Sequence, residues 1–223
     1  MPNLEDVVAI IGAWAGHNYP KIREIYWQKG GWEGWTQVEL ALLFTQLYPK
    51  TNTFREELVY LGSSKRADLT LMLAGEQTQV IELKVESLWQ DQSAGGVTNF
   101  VKSLKTDISK IDSNNLAPDF RPALVYAIGL TCRDEVNQYA LDLIHWSPYQ
   151  NDIKFNQLVP STGDVPALYS WHVVLRRPAL PAGDDHTSAF SVEEMPLAVS
   201  SKESVFQGKE PSAAQRHILA IAN

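Results

Sequence analysis

Three charged side chains stand where apolar ones would be expected. Glu82 and Lys84 interrupt the run Val80-Ile81-Glu82-Leu83-Lys84-Val85, and Asp68 heads a second apolar run, Leu69-Thr70-Leu71-Met72-Leu73. Burying a carboxylate or an ammonium among apolar neighbours costs on the order of several kcal/mol unless the charge is paired or bound to a metal. Two acids and a lysine that converge can hold a divalent cation and orient a water for attack on an electrophile. The plainer alternative is a cross-strand ion pair on a half-exposed hairpin, which stabilises little.

The elements that must position these groups follow from the flanking sequence. Ala74-Gly75-Glu76 separates two apolar runs, the pattern of a β-hairpin. Side chains alternate along a strand, so Glu82 and Lys84 share a face, while Asp68 comes from the partner strand. Upstream, Thr36 opens a helix with Val38, Leu40, Leu43, Phe44 and Leu47, apolar nearly all round. Residues 54–61 read as a strand. Downstream of the Ser93-Ala94-Gly95-Gly96 loop, residues 97–111 place Val101, Leu104, Ile108 and Ile111 at the spacing of a core-facing helix stripe. Residues 122–130 are continuously apolar and read as a buried strand. Residues 4–15 and 20–28 predict N-terminal helices, 133–143 a helix, and 168–177 a further strand. The order predicts an α/β domain over residues 1–177 with a central mixed sheet flanked by helices. Residues 178–223, with Pro178, Pro181, Pro196 and Pro211, read as an irregular C-terminal extension ending in a short helix.

In this setting Asp68 and Glu82-Leu83-Lys84 resemble the PD-(D/E)XK nuclease superfamily, with residues 36–131 spanning the likeness and Ala67 standing where many members have proline. The resemblance implies a restriction-endonuclease-like core. It also implies a Mg²⁺- or Mn²⁺-dependent nuclease that hydrolyses phosphodiester bonds, of DNA foremost, in a defence or effector setting. Asp68 and Glu82 would then ligate the metal together with the carbonyl of Leu83. Lys84 would orient or help deprotonate the attacking water and stabilise charge at phosphorus. Members often carry a metal-facing glutamate on the helix before the core strands, and Glu39 is the candidate here. Thr36-Gln37-Val38-Glu39 is equally a capping box, and one carboxylate cannot easily serve both purposes. In several branches a polar residue of the helix after the Glu-x-Lys strand approaches the phosphate. Lys102 and Lys105 are the substrate-binding candidates, set against the alternative of a solvated lysine face.

Composition bounds these readings. Of 223 residues, 44% are apolar and 20% charged, ordinary for a globular chain. No run approaches the ~18 apolar residues of a membrane span. The acidic start, Met1-Pro2-Asn3-Leu4-Glu5-Asp6, lacks the basic region of a signal peptide, so a cytoplasmic protein without membrane contact is expected. The single cysteine, Cys132, excludes an internal disulfide and a Cys-based zinc cluster. The net charge of −7 runs against phosphate binding, so basic groups must be local, at Lys65-Arg66 and over 102–110. The same charge fits a basic protein partner. The alternative function is therefore a non-catalytic protein of the same fold, acting as a binding or immunity-type partner. Cutting both strands of a duplex often uses a two-fold dimer, so a homodimer fits the nuclease reading. Trp32 and Trp35 could stack on bases, but closing the edge of a core is the preferred reading. Glu56, Glu57, Gln90 and Gln92 read as solvated polar neighbours.

Overall fold

A computed structural model describes residues 4–29, 31–72, 76–87, 98–113, 116–133, 153–162 and 166–179. The helix expected after Arg133, the polar pair Gln90 and Gln92, and the extension beyond residue 179 lie outside the described residues.

The chain enters through α1 (Leu4–His17) and α2 (Tyr19–Ile25), followed by α3 (Glu33–Leu47). Three strands come next: β1 (Asn52–Glu57), β2 (Ala67–Met72) and β3 (Thr78–Val85). Helix α4 (Thr98–Ser113) leads to β4 (Ala123–Thr131), and β5 (Lys154–Val159) and β6 (Leu168–Arg177) complete the sheet. The six strands form one mixed sheet in the order β1-β2-β3-β4-β6-β5. Only β3 and β4 are parallel, joined by the crossover that carries α4; the other pairs are antiparallel.

The apolar periods explain the layers. Every residue of β4 is buried, as a continuous apolar run in a central strand requires. On one face, Val80, Ala123, Val125, Ala127 and Val173 pack with the α4 stripe of Val101, Leu104, Ile108 and Ile111. Each buried Val, Leu or Ile among them contributes roughly 1.5–3 kcal/mol. Helix α3 packs on β1, β2 and β3, burying Leu40, Leu43 and Phe44, and α1 packs on β5 and β6. Among the described residues, no helix is long and apolar enough to cross a membrane.

Gly129 is where α4 comes nearest to β4. A Cβ there would lie 2.9 Å from Phe100 Cζ and 3.0 Å from Leu104 Cδ2. Gly129→Ala is expected to cost about 1–3 kcal/mol through overpacking. Urea unfolding should show a lower midpoint at unchanged slope.

Two local expectations are corrected, and one strand is added. Strand β1 ends at Glu57 instead of running to residue 61; Tyr60 makes only an isolated bridge with Leu116. Helix α3 starts at Glu33, with Trp32 as its N-cap, so Thr36 sits inside the first turn. Its hydroxyl donates to the Trp32 carbonyl at 2.8 Å, and the capping box with Glu39 does not form. Strand β5 was not foreseen, because Lys154, Phe155, Asn156 and Gln157 are all exposed and show no half-buried alternation.

Candidate functional site

The site lies where β2 and β3 part. Their register pairs Thr70 with Val80 and Leu69 with Ile81; continued one step, it sets Asp68 opposite Glu82. Glu82 projects on the face that carries Val80 and α4, where Lys110 of α4 meets it. The ladder stops at this step, and a side chain takes over: the Leu83 N–H donates to Asp68 Oδ2 at 2.6 Å. In an antiparallel strand a residue's N–H and C=O point the same way. The Leu83 carbonyl is therefore turned toward the same gap. The other Asp68 oxygen, Oδ1, accepts from Gln37 Nε2 at 3.0 Å, and Gln37 Oε1 accepts from Arg55 at 3.1 Å. Helix α3 thus fixes the aspartate from one side through Gln37.

Glu82 is 1% exposed and fully engaged. Its Oε1 accepts from the Tyr60 hydroxyl, and its Oε2 accepts from the Lys110 ammonium at 2.6 Å. Lys110 also donates to the Arg66 carbonyl at 2.6 Å and lies 5.3 Å from the Tyr60 ring centre. Lys84, two residues along the same strand face, pairs with Glu33 Oε2 at 2.8 Å. That oxygen also accepts from the Val85 N–H at 3.4 Å. Asp107 stands one helical turn before Lys110 on α4. Its Oδ2 is buried and has no hydrogen-bond partner.

Burial and mutual charge set the protonation states. Burial pushes the Asp68 carboxyl up to about 6; the Leu83 N–H opposes this, and the Glu33 charge adds to it. Burial likewise lifts Glu82 to about 7 against the pull of Lys110. Asp107 rises to about 6 through burial, with Lys84 opposing and the Asp68 charge adding. Burial works to lower the Lys84 ammonium, but Glu33, Asp107 and Asp68 outweigh it, so its net shift is upward and it stays charged. The Tyr60 hydroxyl is pushed up by burial and by the Glu82 charge, so it acts as a donor. Four acids and two lysines thus crowd one end of the sheet.

The hairpin brings Asp68, Glu82, Leu83 and Lys84 together. Glu39 is not brought in. It stands about 200° around α3 from Gln37, and its carboxylate accepts from Trp35 Nε1 at 3.2 Å. The glutamate of α3 that reaches the strands is Glu33. The pair Glu33 and Gln37, four residues apart on one helix face, was the available signal, hidden by three glycines around the helix start. From α4 the cluster receives Lys110 and Asp107. Lys102 is exposed, and Lys105 is half-buried. Glu56 is exposed and stands beside Asp68 across β1 and β2, with its carbonyl accepting from Arg66 at 2.6 Å.

Trp32 is fully buried, and its indole donates to the Glu86 carbonyl at 2.5 Å. Trp35 packs 5.4 Å from the Trp14 ring with Lys21 above it. Both close the edge of the core. Glu86, next on the Glu82–Lys84 strand face, is buried in a separate pair with Arg133 at 2.9 Å. Burial raises the neighbouring Cys132 thiol to about 12, so it is not a nucleophile.

Among the described residues, no three His, Cys, Asp or Glu side chains gather closely enough to cage a metal by themselves. The donors present are two opposed carboxylates and one backbone carbonyl. That set fits Mg²⁺, which keeps several waters and takes one or two carboxylates with substrate phosphates. It does not fit a protein-only cage for calcium or zinc. The fold and site define a mixed α/β protein with an acid–lysine cluster set in a gap of its sheet. No family model matches the chain, and no curated protein or solved structure matches it.

Proposed function

We propose that this chain is a divalent-metal-dependent nuclease with a restriction-endonuclease-like core. The observation that carries the reading is the junction of β2 and β3, where the Leu83 N–H donates to Asp68 and the register, continued one step past Leu69–Ile81, brings Asp68 opposite Glu82. The run α3-β1-β2-β3-α4-β4 supports it, since the crossover helix lies against the metal-facing side of the hairpin.

Asp68, Glu82 and the Leu83 carbonyl would hold Mg²⁺ or Mn²⁺. Bound there, the ion would supply charge to a phosphoryl oxygen and acidity to a water. The chain's own groups do the rest. Gln37 and the Leu83 N–H hold the Asp68 carboxylate in one orientation. Lys84 is a compact charge beside the place a phosphate would occupy, and Glu33 keeps it there. Lys110 neutralises Glu82 while the carboxylate has no other cation to face. On ligand entry Lys110 becomes a second cation available to the phosphate. Lys84 and Lys110 thus place two cations of the −7 chain within the cluster itself, beside the acids that would hold the metal.

The test is cleavage of plasmid DNA, single-stranded DNA and RNA in Mg²⁺ or Mn²⁺ against an EDTA control. Metal-dependent cleavage of one of them is the expected result. Absence of cleavage of all three in both metals would overturn the proposal.

Metal binding should also depend on pH. Asp68 and Glu82 titrate near 6 and 7 in the metal-free protein, so both must lose protons before they can ligate. Affinity for Mg²⁺ is expected to rise between pH 5.5 and 7.5, a window set by those values of about 6 and about 7. Calorimetry in buffers of different ionisation enthalpy would show the proton release directly.

A further inference from the structure

A cavity lies away from this cluster. A cleft of about 580 Å³ separates α1 from the β5–β6 edge of the sheet. Its size falls within the range of roughly 300–1,000 Å³ usual for small-molecule sites. Ala9, Gly12 and Ala13 of α1 form its roof, and their small size leaves the space beneath the helix unfilled. Leu158 approaches the Gly12 position, where an added Cβ would come within 3.3 Å of Leu158 Cδ2.

The floor is polar in an orderly way. The β5–β6 register pairs Lys154 with His172 and Asn156 with Ser170, so four polar side chains share one face beneath α1. Ser170 is only 4% exposed, and its Oγ has no hydrogen-bond partner. The Nδ1 of His172 is also buried without a partner. Leaving such a group unsatisfied costs about 1–3 kcal/mol, so two of them on one cleft floor point to something that satisfies them. Among the described residues that line the cleft, Lys154 is the charged one and none is acidic.

We propose that this cleft binds a small organic carboxylate. Its apolar body lies under α1, and its head group takes hydrogen bonds from Ser170, Asn156 and the Lys154 ammonium. The roof supplies apolar surface with no competing polar group. The floor supplies donors and one positive charge, the complement of an anionic head on a hydrocarbon body. This site is independent of the nuclease reading and stands or falls without it.

The experiment is calorimetric titration of the full chain with octanoate, octylammonium and 1-octanol. Octanoate is expected to bind saturably, and octylammonium at least about tenfold more weakly, because a charge-assisted hydrogen bond contributes roughly that factor or more. Lys154→Glu should weaken octanoate by about tenfold or more and leave 1-octanol within about twofold. Ala13→Trp, at an exposed helix position, should fill the cleft and weaken all three. The His172 imidazole resonances of the wild-type chain should shift on saturation with octanoate, which locates the site without any variant. The proposal is overturned if octanoate does not saturate, if octylammonium binds as well, or if the His172 signals do not move.

Discussion

Asp68→Asn is expected to remove metal-dependent DNA cleavage while leaving the fold in place. The asparagine can still accept the Leu83 N–H, so the gap between β2 and β3 keeps its closure. What it lacks is the charge that would hold a cation opposite Glu82. Its thermal midpoint in EDTA at pH 8 should lie near that of the wild type: removing a charge that burial and Glu33 both disfavour offsets the acceptor lost to Gln37 Nε2. Lys84→Ala should lower the cleavage rate by about 10²–10⁴-fold, the range of a positioned proton-transfer group. The two variants should differ in their metal dependence. Raising Mg²⁺ should partly restore Asp68→Asn and leave Lys84→Ala unchanged. Equal cleavage by wild type and both variants would remove these residues from the site.

Lys110→Met should produce the largest loss of stability of any change at the cluster, and that loss should depend on pH. Glu82 is 1% exposed, and Lys110 is the cation that faces it. Removing one partner of a buried pair costs about 3–5 kcal/mol when the other stays ionised. The sign follows from the direction of the Glu82 shift. Its carboxyl titrates at about 7 in the folded protein against an ordinary 4.5. Its neutral form therefore favours the folded state; that contribution is complete below the unfolded value and is lost as pH rises through about 7. At pH 8 the variant should carry the full penalty. At pH 5 the proton replaces the lysine, and the loss should shrink to about 1 kcal/mol, near the worth of one hydrogen bond. Urea unfolding in EDTA at both pH values checks this. An equal loss at pH 5 and pH 8 would show that packing, not the ion pair, is what the substitution disturbs.

The hairpin could be read from the chain because its signals are local. Strand β3 runs over Thr78–Val85 and β6 over Leu168–Arg177, as their apolar patterns predict, and α4 shows its 3-4-3 stripe. The acid–lysine set was visible for the same reason: charge inside an apolar run is conspicuous. The partners of that set were not visible. Glu33 sits among Gly31, Trp32 and Gly34, a composition that reads as loop, although the backbone is already helical there. Thr36 and Glu39 fit a capping signature, but Trp32 occupies the cap one turn earlier, and the register of the whole helix face shifts with it. Lys110 and Asp107 required knowing which side of α4 meets the sheet at the strand gap. Tyr60 lies where β1 was expected to continue, and its role comes from leaving the sheet, which no periodicity announces. Strand β5 exists through its pairing with β6, a tertiary cause with little trace in Lys154-Phe155-Asn156-Gln157 itself.

One amide deserves following in solvent exchange. The Leu83 proton is held by a carboxylate where a neighbouring strand would normally supply a carbonyl. Its protection therefore tracks the ionisation of Asp68, while the amides of Glu82 and Lys84, alternating to the other edge of the strand, face the main chain of the parallel neighbour β4. Acidification through about 6 should release deuterium uptake at this one position well before the sheet opens. A single backbone site would then report whether the aspartate is charged, and any cation that draws the carboxylate away would leave the same mark.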